Sequence, residues 1–210
     1  MVINKTVPKR TEGTGRIEAF SDGMFAIIAT LLIFEVRVPA LTDLSNSAVL
    51  SALVGIAPKA VSFAISFFTV AIFWVTHHHI FSRITHSNWK LLWYNNLLLF
   101  WLAIMPFTTA FVGNYTTQPL IVSIFALNLF LAALSFSLMT YYVFFKSDLM
   151  SETVSSSERS KQWKRGCRGF ILYGLAFLAA FINVYAALVI LIIIPFIFVV
   201  PRLMRETSIE

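Results

Sequence analysis

Charge is what this sequence has least of. Only 12% of its 210 residues are Asp, Glu, Lys or Arg, and 58% are hydrophobic, whereas about a quarter of a soluble domain is charged. Several apolar runs exceed the roughly 18 residues that indicate a membrane helix. Because these runs are continuous and do not alternate with polar residues, they disfavour membrane β-strands. The sequence therefore predicts an all-α integral membrane protein.

Cysteine and catalytic motifs are also scarce. Cys167 is the only cysteine, so an intrachain disulfide is excluded. The sequence contains no GxSxG, no HExxH and no phosphate-binding loop, so we predict that the protein is not an enzyme and needs no cofactor. A net charge of +6 fits basic membrane loops better than a nucleic-acid partner. We expect no removable signal peptide, because the first residues are polar and no cleavage site follows.

The apolar blocks set the predicted topology. The last block, 169–200, would be about 48 Å long as one helix, against a hydrocarbon core of about 30 Å. It is either one tilted helix or two helices with a turn near Asn183. With two helices, all 16 basic residues except Arg37 and Lys59 share one face with both termini, which the positive-inside rule assigns to the cytoplasm. We therefore predict cytoplasmic tails at 1–15 and 202–210 and, within 16–201, six spans at about 17–38, 48–76, 91–112, 120–145, 166–182 and 184–201.

The first span carries two different faces. On a wheel of about 100° per residue, Ile27, Leu31 and Phe34 fall within about 60° of one another, with Thr30 about 60° to one side. Asp22 lies roughly 120–140° away, so it meets a different partner. The apolar stripe is open to two interpretations. It packs against helices or lipid, or it lines a pore whose hydrophobic constriction gates by dewetting, with a hydroxyl ring beside it.

Asp22 requires partners, because an ionisable group in a span is costly unless it is paired. Ser21 and Asp22 lie at the same predicted depth as the ends of spans two and three, which indicates a polar network across three helices. Its predicted members are Arg16, Ser21, Asp22, Trp74, His77 and Asn95. An ion or proton site at Asp22 is the alternative.

The run His77-His78-His79, with His86 nearby, raises the question of a metal site. Consecutive residues on a helix point in different directions, and no cysteine or carboxylate stands at ligand spacing beside them. We therefore predict no metal site. A membrane enzyme or assembly factor that uses these histidines is a competing interpretation of the protein's function.

Several of these residues carry a family resemblance. Arg16-x-x-x-Phe20-Ser21-Asp22, followed by Ala26-Ile27-x-x-Thr30-Leu31-Leu32 and Glu35, resembles the first-helix signature of the lysosomal potassium channel family, transmembrane protein 175. Further matches are Trp74-x-x-His77, Asn95 and Pro106-Phe107-x-Thr109. The resemblance covers spans one to three.

The resemblance implies a potassium-selective channel in the cell membrane, without the TVGYG filter of ordinary potassium channels. Four six-span subunits would surround a pore that the first helices line. By position, the apolar gate and filter layers would be Ile27, Leu31 and Phe34, where Phe34 replaces an expected leucine, and the pore hydroxyl would be Thr30. The implied partners are three further copies of the chain, membrane lipids and K⁺ ions. Separately from the resemblance, we expect the basic segment 146–168 to bind anionic lipid headgroups. The alternative is a proton- or cation-coupled secondary transporter that uses Asp22 and His77.

Overall fold

A computed structural model describes residues 13–151 and 154–206, with the backbone alone for 200–206. Within these ranges the regular structure is helical, and a single isolated antiparallel bridge joins Ile84 and Met150. A 3₁₀ turn, Leu32–Glu35, extends the first helix, and a π turn, Tyr142–Lys146, extends the fourth. The six helices are α1 (Gly15–Leu31), α2 (Asn46–Phe81), α3 (Trp89–Asn114), α4 (Pro119–Tyr141), α5 (Ser156–Ile182) and α6 (Val184–Glu206).

Side-chain caps start several of these helices by accepting hydrogen bonds from backbone N–H groups that lack a partner in the first turn. Asn88 Oδ1 accepts from Leu91 N at 2.9 Å before α3, and Ser155 Oγ accepts from Glu158 N at 3.2 Å before α5. Asn183 Oδ1 accepts from Tyr185 N at 2.9 Å. The last apolar block therefore breaks at Asn183, as the two-helix alternative predicts.

The protein is a membrane protein. Five of the described helices are long and apolar enough to cross a bilayer, and a shorter apolar helix covers Val184–Val199. Three helices are longer than predicted by five residues or more, and one of them is α6, which continues to Glu206 instead of residue 201. Helix α2 continues to Phe81 and so includes the histidine run, and α5 begins at Ser156 instead of residue 166. The difference in α5 arises because a charged segment with a serine cap forms a helix that extends beyond the apolar block.

Helix α4 is the centre of the bundle. In its most apolar stretch 61% of the residues are buried, against 28% in α1 and 6% in α2. Small buried residues allow α4 and α5 to approach closely, as is usual between membrane helices. These residues are Ala126, Ala132 and Ala133 on α4 and Ala176 and Ala180 on α5. Much of α1 and α2 therefore lies open in a single subunit.

The two polar connections at one end of the bundle are joined to each other. Thr85 N donates to Leu149 O at 2.9 Å, and Ser151 N donates to Arg83 O at 3.0 Å. An Arg83–Glu158 ion pair adds a side-chain link between the α2–α3 connection and the start of α5. These contacts place the N-termini of α3 and α5 at the same end.

Candidate functional site

Helix α1 packs on one face and is open on the other. Its buried face, with Phe25 and Ile28 at its centre, contacts α2 and α3. The predicted stripe lies on the open face, where Ile27 is 56% exposed, Leu31 44% and Phe34 69%. In a single subunit these apolar side chains therefore have no protein neighbour that covers them.

The end of α1 changes the alignment of the stripe. Phe34 lies in the 3₁₀ turn, and residues three apart eclipse each other in a 3₁₀ helix, whereas they diverge by about 60° in an α-helix. Phe34 therefore stands almost directly in line with Leu31. A helical wheel assumes about 100° per residue and therefore does not predict this turn.

Thr30 lies beside the stripe and is also exposed. Its Oγ1 donates within the helix, with Ala26 O at 3.0 Å and Ile27 O at 2.9 Å as the acceptors. A hydroxyl has one proton and two lone pairs. Because the proton stays with the backbone, the oxygen lone pairs are available on the exposed side, which suits contact with a cation.

A buried chain of hydrogen bonds lies behind α1. Asn95 Nδ2 donates to Ser21 Oγ at 2.9 Å, and Asn95 Oδ1 lies 2.8 Å from His77 Nε2. Since an amide oxygen can only accept, Nε2 carries the proton in this arrangement. All three side chains are at most 1% exposed. The chain ties α1, α2 and α3 together at one depth.

Asp22 has a separate partner. Trp74 Nε1 donates to Asp22 Oδ1 at 2.9 Å, in an exposed position between α1 and α2. The structure thus divides the predicted network into two parts, the buried Ser21–Asn95–His77 chain and the Asp22–Trp74 pair. Arg16 is exposed, and within the described residues it forms no ion pair or hydrogen bond with either part.

Comparison with known proteins identifies the architecture. A potassium channel of Chamaesiphon minutus is 34% identical over 182 residues, which cover 85% of this chain and 89% of that protein. The family model described as "Endosomal/lysosomal potassium channel TMEM175" matches residues 16–106. This chain belongs to the TMEM175 family. The prediction from the first-helix signature is confirmed.

A solved structure and two further relatives support membership of the TMEM175 family. A crystal structure of a lysosomal potassium-selective channel TMEM175 homolog from Chamaesiphon minutus superposes with a TM-score of 0.79 at 29% identity, over 90% of this chain and 97% of that one. A Streptomyces collinus potassium channel is 30% identical over 80% of this chain and 84% of that protein. The human relative, named an endosomal/lysosomal proton channel, is 31% identical over 110 residues, 50% of this chain and 22% of its own.

Two features of this TMEM175 chain were missed by sequence reasoning. Phe81 stacks on the His77 ring at 4.1 Å and Phe25 meets it edge-on at 5.5 Å, so the imidazole lies between two aromatic rings. A second buried polar contact joins Thr108 Oγ1 to Asn128 Oδ1 at 3.0 Å. The two phenylalanines could not be singled out in a sequence with so many aromatic residues. Asn128 could have been, because a polar amide in the middle of a predicted membrane span indicates a buried hydrogen bond.

The histidines of this TMEM175 chain do not converge. His77 is buried in the network, while the exposed His78 ring stacks on Trp74 at 6.0 Å. His86 lies in the α2–α3 connection, with Nε2 3.7 Å from Asp148 Oδ1. His77, His78 and His86 therefore have different neighbours, and the first two differ because consecutive side chains project in different directions from a helix.

Proposed function

We propose that the protein is a potassium-selective channel of the cell membrane, in which the α1 helices of four copies line a central pore. Family membership and the names of its bacterial relatives support potassium permeation. The observation that carries the pore is the open face of α1, with Ile27, Leu31 and Phe34 exposed and Thr30 beside them. Rotational symmetry would repeat this face around an axis, so that each side chain forms a ring.

The chemistry of this face fits a gate that works by dewetting. Rings of Ile27, Leu31 and Phe34 would hold few water molecules when narrow, and a dry constriction blocks ions without a charged barrier. The Thr30 ring would offer oxygen lone pairs to a cation beside this constriction, because its proton is committed to the helix backbone. Potassium would then pass between apolar layers with brief hydroxyl contact.

The polar residues serve this pore from behind. The Ser21–Asn95–His77 chain lies on the buried side of α1, where it fixes the rotation of α1 against α2 and α3. A small rotation of α1 would move every ring of the pore together. An anchor that prevents this rotation would therefore keep the geometry of the rings, and so the selectivity, constant. We assign these residues a structural role in the channel.

Purified protein in planar bilayers tests the ion. Unitary currents should reverse near the potassium equilibrium potential when sodium replaces potassium on one side. Because vertebrate relatives are named proton channels, a second arm applies a pH gradient in symmetrical potassium, and the reversal potential should stay at zero. A reversal potential that follows the proton gradient would overturn potassium selectivity, and silence across all potentials would overturn the channel.

Cross-linking tests the place of α1. In a Cys167→Ser background, Leu31→Cys should form disulfide-linked dimers of subunits on mild oxidation, because facing α1 helices meet at the axis. Leu175→Cys is the matched control, since Leu175 is similarly exposed, at 51%, but lies on α5. Equal cross-linking of the two variants, or none at Leu31→Cys in an assembled tetramer, would remove α1 from the axis.

A further inference from the structure

The first turns of α5 carry a basic stripe, defined here as Lys161, Lys164, Arg165 and Arg168. These positions follow the i, i+3, i+4, i+7 spacing that places side chains on one face of a helix, within an arc of about 100°. All four side chains are exposed. None of them forms an ion pair or hydrogen bond with another described residue.

Acidic neighbours are directed elsewhere. Glu158, in the first turn of α5, pairs with Arg83 of the opposite connection. Asp148 faces His86, with 3.7 Å between Oδ1 and Nε2. Neither of these carboxylates pairs with the basic stripe, so among the described residues of the two connections its positive charge is uncompensated.

The basic stripe faces away from the bundle. Trp163 lies on the opposite side of α5, about 150° from the centre of the stripe. Its ring packs against Tyr141 at 5.6 Å and Phe145 at 5.9 Å, at the end of α4. Because Trp163 fixes the inner side of this part of α5, the basic side chains point outward.

The depth of the basic stripe is that of lipid headgroups. The apolar part of α5, 169–182, is about 21 Å long, which is shorter than a hydrocarbon core of about 30 Å. About six further residues are needed to complete the span, so the boundary of the core falls among the turns that carry the stripe, and the long lysine and arginine side chains extend from there to the headgroups. Trp89 and Trp93 at the start of α3, on the same end and exposed, fit the aromatic belt that marks this interface.

We propose that the basic stripe binds the phosphate of an anionic phospholipid headgroup. Arginine offers paired donors that match phosphate geometry, and the long lysine stems can follow the lipid surface while the ammonium reaches the headgroup. A dissolved phosphate would gain the same charge contacts but not the anchoring of acyl chains beside α5. The site is independent of which ion the protein conducts.

Native mass spectrometry of the purified protein in detergent, with added phosphatidylglycerol or phosphatidylcholine, tests this site. Lys164→Gln/Arg168→Gln should bind phosphatidylglycerol about twenty-five-fold more weakly than the unchanged protein, since each basic residue near an anionic surface contributes about five-fold. Lys90→Gln/Lys146→Gln is the matched control, because it removes the same charge from exposed positions outside the stripe. This control should lose less than three-fold, and phosphatidylcholine should bind alike to all variants.

The outcomes separate the alternatives. Equal weakening by the two double variants would mean a diffuse positive surface, and no weakening by either would mean no site at all; both overturn the proposal. Displacement of the lipid by millimolar inorganic phosphate would also overturn it, because the stripe would then be a simple anion site. If Lys164→Gln/Arg168→Gln fails to assemble, Lys164→Arg/Arg168→Lys keeps the charge and must bind phosphatidylglycerol within three-fold of the unchanged protein.

Discussion

Replacement of Asn95 by leucine tests the buried network most directly. The change keeps a side chain of similar size but removes both hydrogen bonds of the amide, at 2.9 Å to Ser21 and 2.8 Å to His77. Ser21 Oγ and His77 Nε2 then remain buried, and each has lost its hydrogen bond to the Asn95 amide. Asn95→Leu should therefore destabilise the protein, and the structure allows the size of the effect to be bounded.

The lower bound comes from the lost bonds. Hydrogen bonds between membrane helices contribute about 0.6 kcal/mol each on average, so two give about 1 kcal/mol. The upper bound comes from the groups left behind, because each unpaired buried polar group costs about 1–3 kcal/mol. His77 is 1% exposed and lies between Phe25 and Phe81, where water has little access. We therefore expect a loss of about 3 kcal/mol.

The assay is reversible unfolding in mixed micelles of increasing SDS fraction, followed by tryptophan fluorescence. Asn114→Leu is the matched control, because Asn114 is exposed at the end of α3 and its amide donates only to Ala110 O of its own helix, at 2.8 Å. It should lose less than about 0.5 kcal/mol. The triple variant Ser21→Ala/His77→Phe/Asn95→Leu should recover at least half the loss, since removal of all partners leaves nothing unpaired.

Two results would refute this reasoning. If Asn95→Leu unfolds at the same SDS fraction as the unchanged protein, the buried chain does not stabilise the fold. If the triple variant is less stable than Asn95→Leu alone, packing of the histidine and serine matters, and their polar atoms do not.

Three further predictions address the pore and the packing around it. Ile27→Asn should wet the proposed constriction and raise the current or lower potassium selectivity in planar bilayers; an unchanged current would remove Ile27 from the pore. Asp22→Asn keeps an oxygen that can accept from the indole N–H, so potassium current should persist, whereas a carrier that titrates this carboxylate would lose transport in a flux assay. Gly113→Ala places a methyl group 2.7 Å from Ser62 Oγ and should cost about 1–3 kcal/mol in SDS unfolding. Gly55→Ala, with no atom within 4 Å of the new methyl, should be neutral or stabilising by up to about 1 kcal/mol, and equal losses would contradict the packing argument.

Hydropathy and charge were sufficient to predict the class and the number of helices. Long apolar runs have one stable arrangement in a bilayer, because every backbone polar group must be satisfied within the segment. The break at Asn183 followed from helix length and from the side on which Arg202 and Arg205 would otherwise lie. The start of α5 at Ser156 did not follow, since a polar segment outside the membrane is subject to helix propensity and capping, which hydropathy does not measure.

The predicted depth of each residue in the membrane was sufficient to predict that the network residues lie near one another. Ser21, His77 and Asn95 were predicted at the same level on three helices, and the structure joins them by hydrogen bonds. Depth alone does not predict which of these residues form hydrogen bonds with each other. Trp74 bonds to Asp22 while Asn95 bridges to Ser21, and this depends on the rotation of each helix, which packing decides.

The position of Arg16 depends on its direction around the helix axis, which depth does not give. It was grouped with Asp22 because the two lie about 9 Å apart along the helix axis, but direction around the axis separates them. Arg16 is about three full turns before Ile27, so it lies within about 20° of that residue's direction. The same angular count that set the apolar stripe apart from Asp22 therefore places Arg16 at the end of the stripe. An arginine in line with Ile27, Leu31 and Phe34 would be costly against the acyl chains of lipid but would lie at the mouth of a water-filled pore. The open face of α1 is thus charged at its N-terminal end and apolar from Ile27 to Phe34.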